Sequence, residues 1–408
     1  MFLTKDFFNL ISDFGDDWVI EEFNADHNKK EVYLKMKYAN NKYFDPDSDQ
    51  ECKLYDHAPE RVWRHLDLWD YKSFIICRLP RIINSDGRVK TIKLGWADKH
   101  DRHTYSFEIK VIDTLNGTRN QTKTSELLGC SFRLANRIIH QSTERGLSRR
   151  DIQKQPIEDI GLDEKAFKKG HKYVTVISHP RSGCVIDVGE DRDEKSVIEL
   201  LRKTFTEQQL VKINTVCMDM WKSYINAVDQ CIPNAEKVHD KFHLIKYLND
   251  AIDNIRRREV KENEVLKYGR YTLLKNEENR TEFQKQLFEE IMKSNLEVTK
   301  AHYAKETFRS LFNIHNDDYQ ASESLKSWAT SFYMYNISEL NKVILMMLSH
   351  AKGVINAMIS THTNAMAERL NGKIQEIKLC GRGYRTFKNF RSAILFFHGG
   401  LQLYPLKW

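Results

Sequence analysis

Residues 211–224 read VKINTVCMDMWKSY. A run rich in apolar and β-branched residues over 213–218 closes on Asp219, and an amphipathic stretch follows at once. The pattern predicts a buried strand handing over to a helix, with a carboxylate at the strand's C-terminal edge. Ligands of open α/β sheets collect at that edge. Two further acids stand in comparable settings, Asp163 in GLDE (161–164) and Glu368 in TNAMAERLNG (363–372). Three convergent carboxylates can hold two divalent cations, and two such cations can drive in-line phosphoryl displacement. A lone acid at a strand end is more often a turn residue or a helix cap, so the reading depends on the three coming together.

Outward from this stretch, the pattern predicts strands over 158–163, 172–178, 183–188, 213–218 and 236–239, with helices over 193–204 and 221–230. The turn Pro180-Arg181-Ser182-Gly183 suits a hairpin between the second and third strands. Tight turns followed by crossovers describe a mixed α/β sheet. If its first strand neighbours its fourth, Asp163 and Asp219 lie side by side at strand ends. Residues 246–360 are helical in pattern, with apolar spacing over 256–267, 283–297 and 338–350. They form an expected helical insertion between two parts of the core, 156–245 and 361–408. Helices over 364–377 and 387–398 follow, the first carrying Glu368 back toward the other acids. The expected fold class is thus an RNase H-like mixed sheet interrupted by a helical insertion.

Upstream, residues 1–110 suggest a small β-rich module with strands near 31–38, 73–79 and 88–94. Turns at Asp45-Pro46-Asp47 and Ser85-Asp86-Gly87 separate them. Within 111–155, a short helix with Leu127 and Leu128 inward ends near Gly129. A second starts on Ser131 as N-cap and buries Leu134 and Ile138. Helix, glycine turn and capped helix is the form of a helix-turn-helix, or more plainly of an αα-hairpin. Arg133 and Arg137 on its second helix, with Arg149 and Arg150 in the basic run behind it, are candidates for contact with DNA.

The chain has 408 residues, 41% hydrophobic and 30% charged, enough for a sizeable core and two to four domains. Net charge is +7, an excess that permits nucleic-acid binding without demonstrating it. Local basic clusters are Arg256-Arg257-Arg258, Lys168-Lys169 with His171 and Lys172, and Arg382 with Arg385 and Lys388. Seven dispersed cysteines without a CxxC argue against a disulfide framework and for a reducing compartment. The N-terminal MFLTKDFFNLISDFGDD lacks the signal-peptide pattern, and no apolar run approaches 18 residues. The expectation is a cytoplasmic protein with no membrane span.

Several longer stretches carry a resemblance. They are GLDEKAFKKGHKYVTV (161–176), VCMDMWKSY (216–224), PNAEKVHDKFH (233–243), TNAMAERLNGKIQEIK (363–378) and GRGYRTFKNFRSAI (381–394). Upstream, HAPERVWRHLD (57–67), Leu79-Pro80-Arg81 and Trp96-Ala97 fit as well. Together they resemble the DDE transposases of the bacterial insertion-sequence ISL family, over most of the chain from about residue 50 onward. The resemblance implies that Asp163, Asp219 and Glu368 form a metal-binding triad holding two Mg²⁺ (or Mn²⁺) ions. Glu164 is the main rival for the first position; Asp187 and Glu376 are weaker ones. Asp240 and His243, in DKFH, resemble the D-x-x-H element that follows the second acid in related enzymes. His243 would then contact the scissile phosphate or protonate a leaving oxygen, unless it only caps or packs. Trp221 is either a packing residue or a stacking platform for a base.

The implied activity is metal-dependent DNA strand cleavage and strand transfer, without a covalent protein–DNA intermediate. The implied partners are duplex DNA, as terminal inverted repeats and target, and further copies of the chain assembled on DNA. Arg256 and Arg257, with Arg258, are candidates for phosphate contact or a solvated helix face. One departure concerns the N-terminal module, where the family often carries a zinc ribbon. Here 44–52 reads FDPDSDQEC, leaving Cys52, His57 and Cys77, with His65 as a substitute, so structural Zn²⁺ is not expected. Two other readings stand beside transposition: a catalytically silent, sequence-specific DNA-binding protein derived from a transposase, and an RNase H-like nuclease acting on RNA or junctions.

Overall fold

The computed structural model describes residues 14–405, apart from 151–155, 169, 171, 276, 313, 315, 316, 361–364 and the side chains of 365–368. The chain forms two compact units, Met1–Arg150 with Leu401–Trp408, and Asp151–Gly400.

In the first unit the strands are β1 (Trp18–Asp26), β2 (Glu31–Tyr38), β3 (Tyr43–Phe44), β4 (Glu51–His57), β5 (Arg61–Arg64), β6 (Lys72–Cys77), β7 (Pro80–Ile83) and β8 (Val89–Thr91). They build two four-stranded sheets, β1-β2-β6-β5 and β3-β4-β7-β8. Alternation along β2 turns Val32, Leu34 and Met36 inward. Trp63 and Trp96 meet edge to face at 5.2 Å in the same core. The run 73–79, expected as one strand, is strand only as far as Cys77. β6 stops at Cys77, and Pro80 opens β7 in the other sheet, where its missing N–H is tolerated. Cys52 and Cys77 consequently lie in different sheets. Burial pushes the Cys77 thiol up to about 12.

Helices α1 (Tyr105–Thr118), α2 (Gln121–Leu127) and α3 (Phe132–Arg149) follow. The Ser131 hydroxyl accepts the Leu134 N–H at 3.2 Å, so the expected cap of α3 is present. Leu128 is buried, but Leu127 is 57% exposed; α2 turns Thr124 and Ser125 inward instead. On α3 the buried residues include Ala135, Ile138 and Ile139, while Leu134 is only half-buried. Gly129 joins the two helices at φ +54, a left-handed conformation that a side chain strains. Gly129→Ala is expected to lower the stability of this unit by about 1–2 kcal/mol, read as a shift of the denaturation midpoint.

The second unit is mixed α/β. Its strands are β9 (Asp159–Lys168), β10 (Lys172–Ser178), β11 (Val185–Glu190), β12 (Thr215–Met218) and β13 (Glu236–His239), in the order β11-β10-β9-β12-β13. The first three pair antiparallel; β12 runs parallel to both β9 and β13. Helices α4 (Glu194–Thr204), α5 (Glu207–Lys212) and α6 (Lys222–Cys231) lie between strands in sequence. Ile160, Leu162, Val216 and Met218 pack with Leu200, Leu201 and Val228 from these helices.

A helical body follows: α7 (Lys241–Glu259), α8 (Gly269–Leu274), α9 (Glu282–Lys293), α10 (Glu297–Ser310), α11 (Asp318–Tyr333), α12 (Ser338–Ser349) and α13 (Ala351–Ile359). Leu244, Leu248, Ile252, Phe308 and Trp328 are among its core residues. The helical reading of 256–267 is corrected, because α7 starts at Lys241 and ends at Glu259. The reading of 283–297 crosses a real break, where Ser294 ends α9 and α10 restarts at Glu297. Among the described residues no single helix is long and apolar enough to cross a membrane. Helices α12 and α13 reach that length and composition only together, and they are bent by 82°.

Helices α14 (Ala365–Cys380) and α15 (Phe387–His398) complete the unit. Lys378 Nζ donates to the Ala166 carbonyl of β9 at 2.7 Å, and Phe390 stacks on Phe167 at 5.4 Å. Arg391 donates to Asp187 Oδ1 of β11 through Nε at 2.9 Å, with Nη2 at 2.7 Å. Asp187 is buried, so removing its partner strands a charge. Arg391→Ala is expected to cost about 3 kcal/mol, measured by denaturant unfolding.

Candidate active site

The parallel register between β9 and β12 builds the site. Thr215 stands opposite Asp159, and Met218 opposite Leu162. There β12 ends, while β9 runs on to Lys168 against β10. The next residue past the last pair is Asp163 on one strand and Asp219 on the other. Asp163 therefore lies within its strand, not at its end as expected. It is still at an edge, because its parallel neighbour stops beside it. Alternation assigns Gly161, Asp163, Cys217 and Asp219 to the face away from the core. These four line one cavity, together with Ser178, His179, Asp240, His243 and Leu370. Gly161 leaves room on that floor: a Cβ there would come within 2.8 Å of Ser178 Oγ.

Asp163 Oδ1 accepts the Glu164 N–H at 2.7 Å. Its Oδ2 is buried without a hydrogen-bond partner, with Lys165 Nζ an ion-pair neighbour at 3.2 Å. Asp219 Oδ1 accepts the Met220 N–H at 2.6 Å and the Tyr247 hydroxyl at 3.4 Å. Burial holds the Asp219 carboxyl above its ordinary range, against the opposing pull of His243. A carboxylate oxygen that accepts no hydrogen bond, beside a second acid whose charge burial disfavours, is a donor set that a divalent cation would satisfy in place of the Lys165 ammonium. Among the described residues no three His, Cys, Asp or Glu side chains already form a metal-holding group. Glu368 falls on α14, with its side chain outside the described residues. The same helix brings Leu370 to the cavity.

Asp240 caps α7, accepting the Phe242 N–H at 2.7 Å through Oδ1 and facing His243 Nδ1 at 3.0 Å through Oδ2. Its own N–H donates to the Met218 carbonyl at 3.0 Å, which fixes the cap beside the end of β12. Burial would depress His243, but the Asp240 hydrogen bond and the charges of Asp219, Asp240 and Asp163 raise it above 6.5. That stabilisation is complete below the unfolded value and is lost as pH rises through the folded one. The stability deficit of His243→Ala should therefore be smaller at pH 9 than at pH 6, as read from urea midpoints.

Glu164, the rival acid, points to the other face and pairs with Arg192. The Arg192 guanidinium lies 4.0 Å from the Tyr173 ring and 4.6 Å from that of Trp221. Trp221 is thus a packing partner of Arg192, although 41% exposed. Asp187 is held by Arg391, and Glu376 is exposed on α14.

The basic candidates divide. Arg133 and Arg137 are exposed on α3. Arg149 Nη1 instead donates to the carbonyls of Tyr404 at 2.6 Å and Gln402 at 3.3 Å, tying down the C-terminal segment. Arg150 is half-buried. Arg256 keeps 11% of its side chain exposed and donates to Asp253 at 2.8 Å. Of these candidates for DNA contact, Arg149 and Arg256 are engaged in hydrogen bonds within the fold. Arg257 is 61% exposed at 2.8 Å from the same Asp253, and Arg258 bridges Glu297 and Glu339. Tyr247 and His179 were not anticipated. The spacing 240, 243, 247 along one helix face carried the signal for the first.

A family model for ISL3-type DDE transposases, described as transposase, matches residues 160–394. The chain belongs to this family. The matched span runs from β9 to α15 and includes Asp163, Asp219, Glu368, Asp240 and His243. The chain is similar to the transposase for insertion sequence element IS1557 of Mycobacterium tuberculosis, 23% identical over 369 residues, covering 83% of this chain and 81% of that protein. It is also similar to the transposase for insertion sequence element IS1001 of Bordetella parapertussis, 22% identical over 356 residues, covering 83% and 84%. It is a transposase, of a family whose members generally use a divalent metal.

Proposed function

We propose that this transposase binds the terminal inverted repeats of an insertion sequence and carries out metal-dependent strand cleavage and strand transfer on an RNase H-like core. The observation that carries the reading is the β9–β12 register, which brings Asp163 beside Asp219 at the mouth of one cavity. Asp163, Asp219 and Glu368 would hold two Mg²⁺ or Mn²⁺ ions. When bound, they supply activation of the attacking oxygen and charge stabilisation of the leaving one. Asp163 offers its Oδ2, which accepts no hydrogen bond among the described residues and has Lys165 Nζ at 3.2 Å. Asp219 offers the oxygen not engaged by Met220 and Tyr247. Asp240 orients His243, whose Nε2 has no hydrogen-bond partner among the described residues and would donate to a phosphate oxygen.

In the same reading, α2 and α3 form a helix-turn-helix that places α3 in the major groove, with Arg133 and Arg137 on its exposed side. Two element ends are processed together, so the chain acts as a homo-oligomer on DNA. The test incubates the full chain with duplex carrying the repeats that flank its gene, and separately with an RNA–DNA hybrid. Mg²⁺- or Mn²⁺-dependent cuts at the repeat ends, with the hybrid untouched, are expected. Cleavage of the hybrid alone would replace this reading with an RNase H-like nuclease.

A further inference from the structure

We infer that His179, on the turn between β10 and β11, is a further catalytic residue that presents its Nε2–H to a non-bridging oxygen of the scissile phosphate. The inference rests on the reading above, in which this cavity receives DNA. His179 lines the cavity together with Asp163, Asp219 and His243. Its backbone is fixed on both sides: its N–H donates to the Cys184 carbonyl at 2.9 Å, and its carbonyl accepts the Gly183 N–H at 2.9 Å.

The ring is fixed as well. The Ser182 backbone N–H donates to Nδ1 at 3.1 Å, and Ser182 Oγ lies 3.0 Å from the same nitrogen. A backbone amide can only donate, so Nδ1 is the acceptor and the ring proton resides on Nε2. Burial lowers the basicity of the ring, with Arg181 acting in the same direction and Asp159 against it. The neutral tautomer with Nε2–H is therefore the resting form. Nε2 has no hydrogen-bond partner among the described residues.

The chemistry of the cavity calls for such a donor. Ionised Asp163, Asp219 and Asp240 only accept, and so do the oxygens of a phosphodiester. A non-bridging phosphate oxygen not held by a cation is met favourably here only by N–H or O–H donors. His243 supplies one from α7, beside Asp240. His179 supplies another from the hairpin turn, at no cost in proton transfer.

The test is single-turnover cleavage of repeat-end duplex in Mg²⁺ by wild type, His179→Ala and His179→Gln. Affinity for the uncut duplex and melting temperature are measured in parallel. The glutamine Nε2 reaches about as far as the imidazole Nε2, so it can restore the donor. His179→Ala is expected to cleave about 100-fold more slowly with unchanged duplex affinity. His179→Gln is expected to regain most of that loss. Cleavage by His179→Ala at the wild-type rate would overturn the inference and leave the proposed function standing. So would equal losses in both variants, accompanied by lower melting temperatures. If wild type itself cut nothing under these conditions, the proposed function would fall, and this inference with it.

Discussion

Asp163→Asn is expected to slow strand cleavage by about a thousandfold or more, about 4 kcal/mol of transition-state stabilisation, while Glu164→Gln keeps most of the activity. The two acids are adjacent in sequence, yet alternation sends them to opposite faces of β9. Asp163 shares a cavity with Asp219, and among the described residues its Oδ2 accepts no hydrogen bond, with the Lys165 ammonium as its ion-pair neighbour. Glu164 is paired with Arg192 in a partly exposed ion pair, with 35% and 29% of the two side chains accessible. Losing that pair costs about 1 kcal/mol or less of stability. The comparison is single-turnover cleavage by both variants at equal duplex occupancy. The reverse ranking, with Glu164→Gln inactive and Asp163→Asn active, would reject the assignment of the first acid.

Asp219→Asn is expected to be more stable than wild type without metal, and to lose the stabilisation that metal brings. Burial raises the folded-state pKa of Asp219 above its ordinary value. The folded chain thus holds this proton more tightly than the unfolded chain, and stability falls as pH rises through that interval. Where it is ionised, the folded chain carries the charge at a net cost, which the amide removes. Its Oδ1 can still accept from Met220 and Tyr247. A cation bound there in wild type would offset the cost, and at a hundred times its dissociation constant would add about 2.7 kcal/mol. Thermal melting with and without Mg²⁺ measures both effects. A variant that melts below wild type in chelator, or gains as much from Mg²⁺, would contradict the account. The exchange is one often met at functional sites, where stability is given up for chemistry.

Much of this arrangement is legible in the sequence, and the misses have physical causes. The stretch ending at Asp219 declares its strand and turn locally, because β-branched residues and the following amphipathic run need no distant information. Ser131 does the same for α3. The place of Asp163 does not follow from its own strand, which continues to Lys168. It follows from the length and register of β12, a partner far along the chain. Leu127 reads as a core residue by composition, but its helix turns Thr124 and Ser125 inward and leaves it exposed. Arg256 reads as a free cation in a basic triplet, whereas its Asp253 partner one turn earlier claims it. In the helical body, breaks such as Ser294 interrupt apolar patterns that run across them. His179 has no motif around it, and only the cavity identifies it.

The most direct measurement of the central claim is strand cleavage of duplex carrying the flanking repeats, with Mg²⁺ or Mn²⁺, by wild type and Asp219→Asn, alongside their binding to the same duplex. Metal-dependent cuts at the repeat ends by wild type, and none by Asp219→Asn at undiminished binding, are expected. A wild type that binds both ends and never cuts them with either metal would contradict that claim, and the chain would then be a sequence-specific DNA-binding protein.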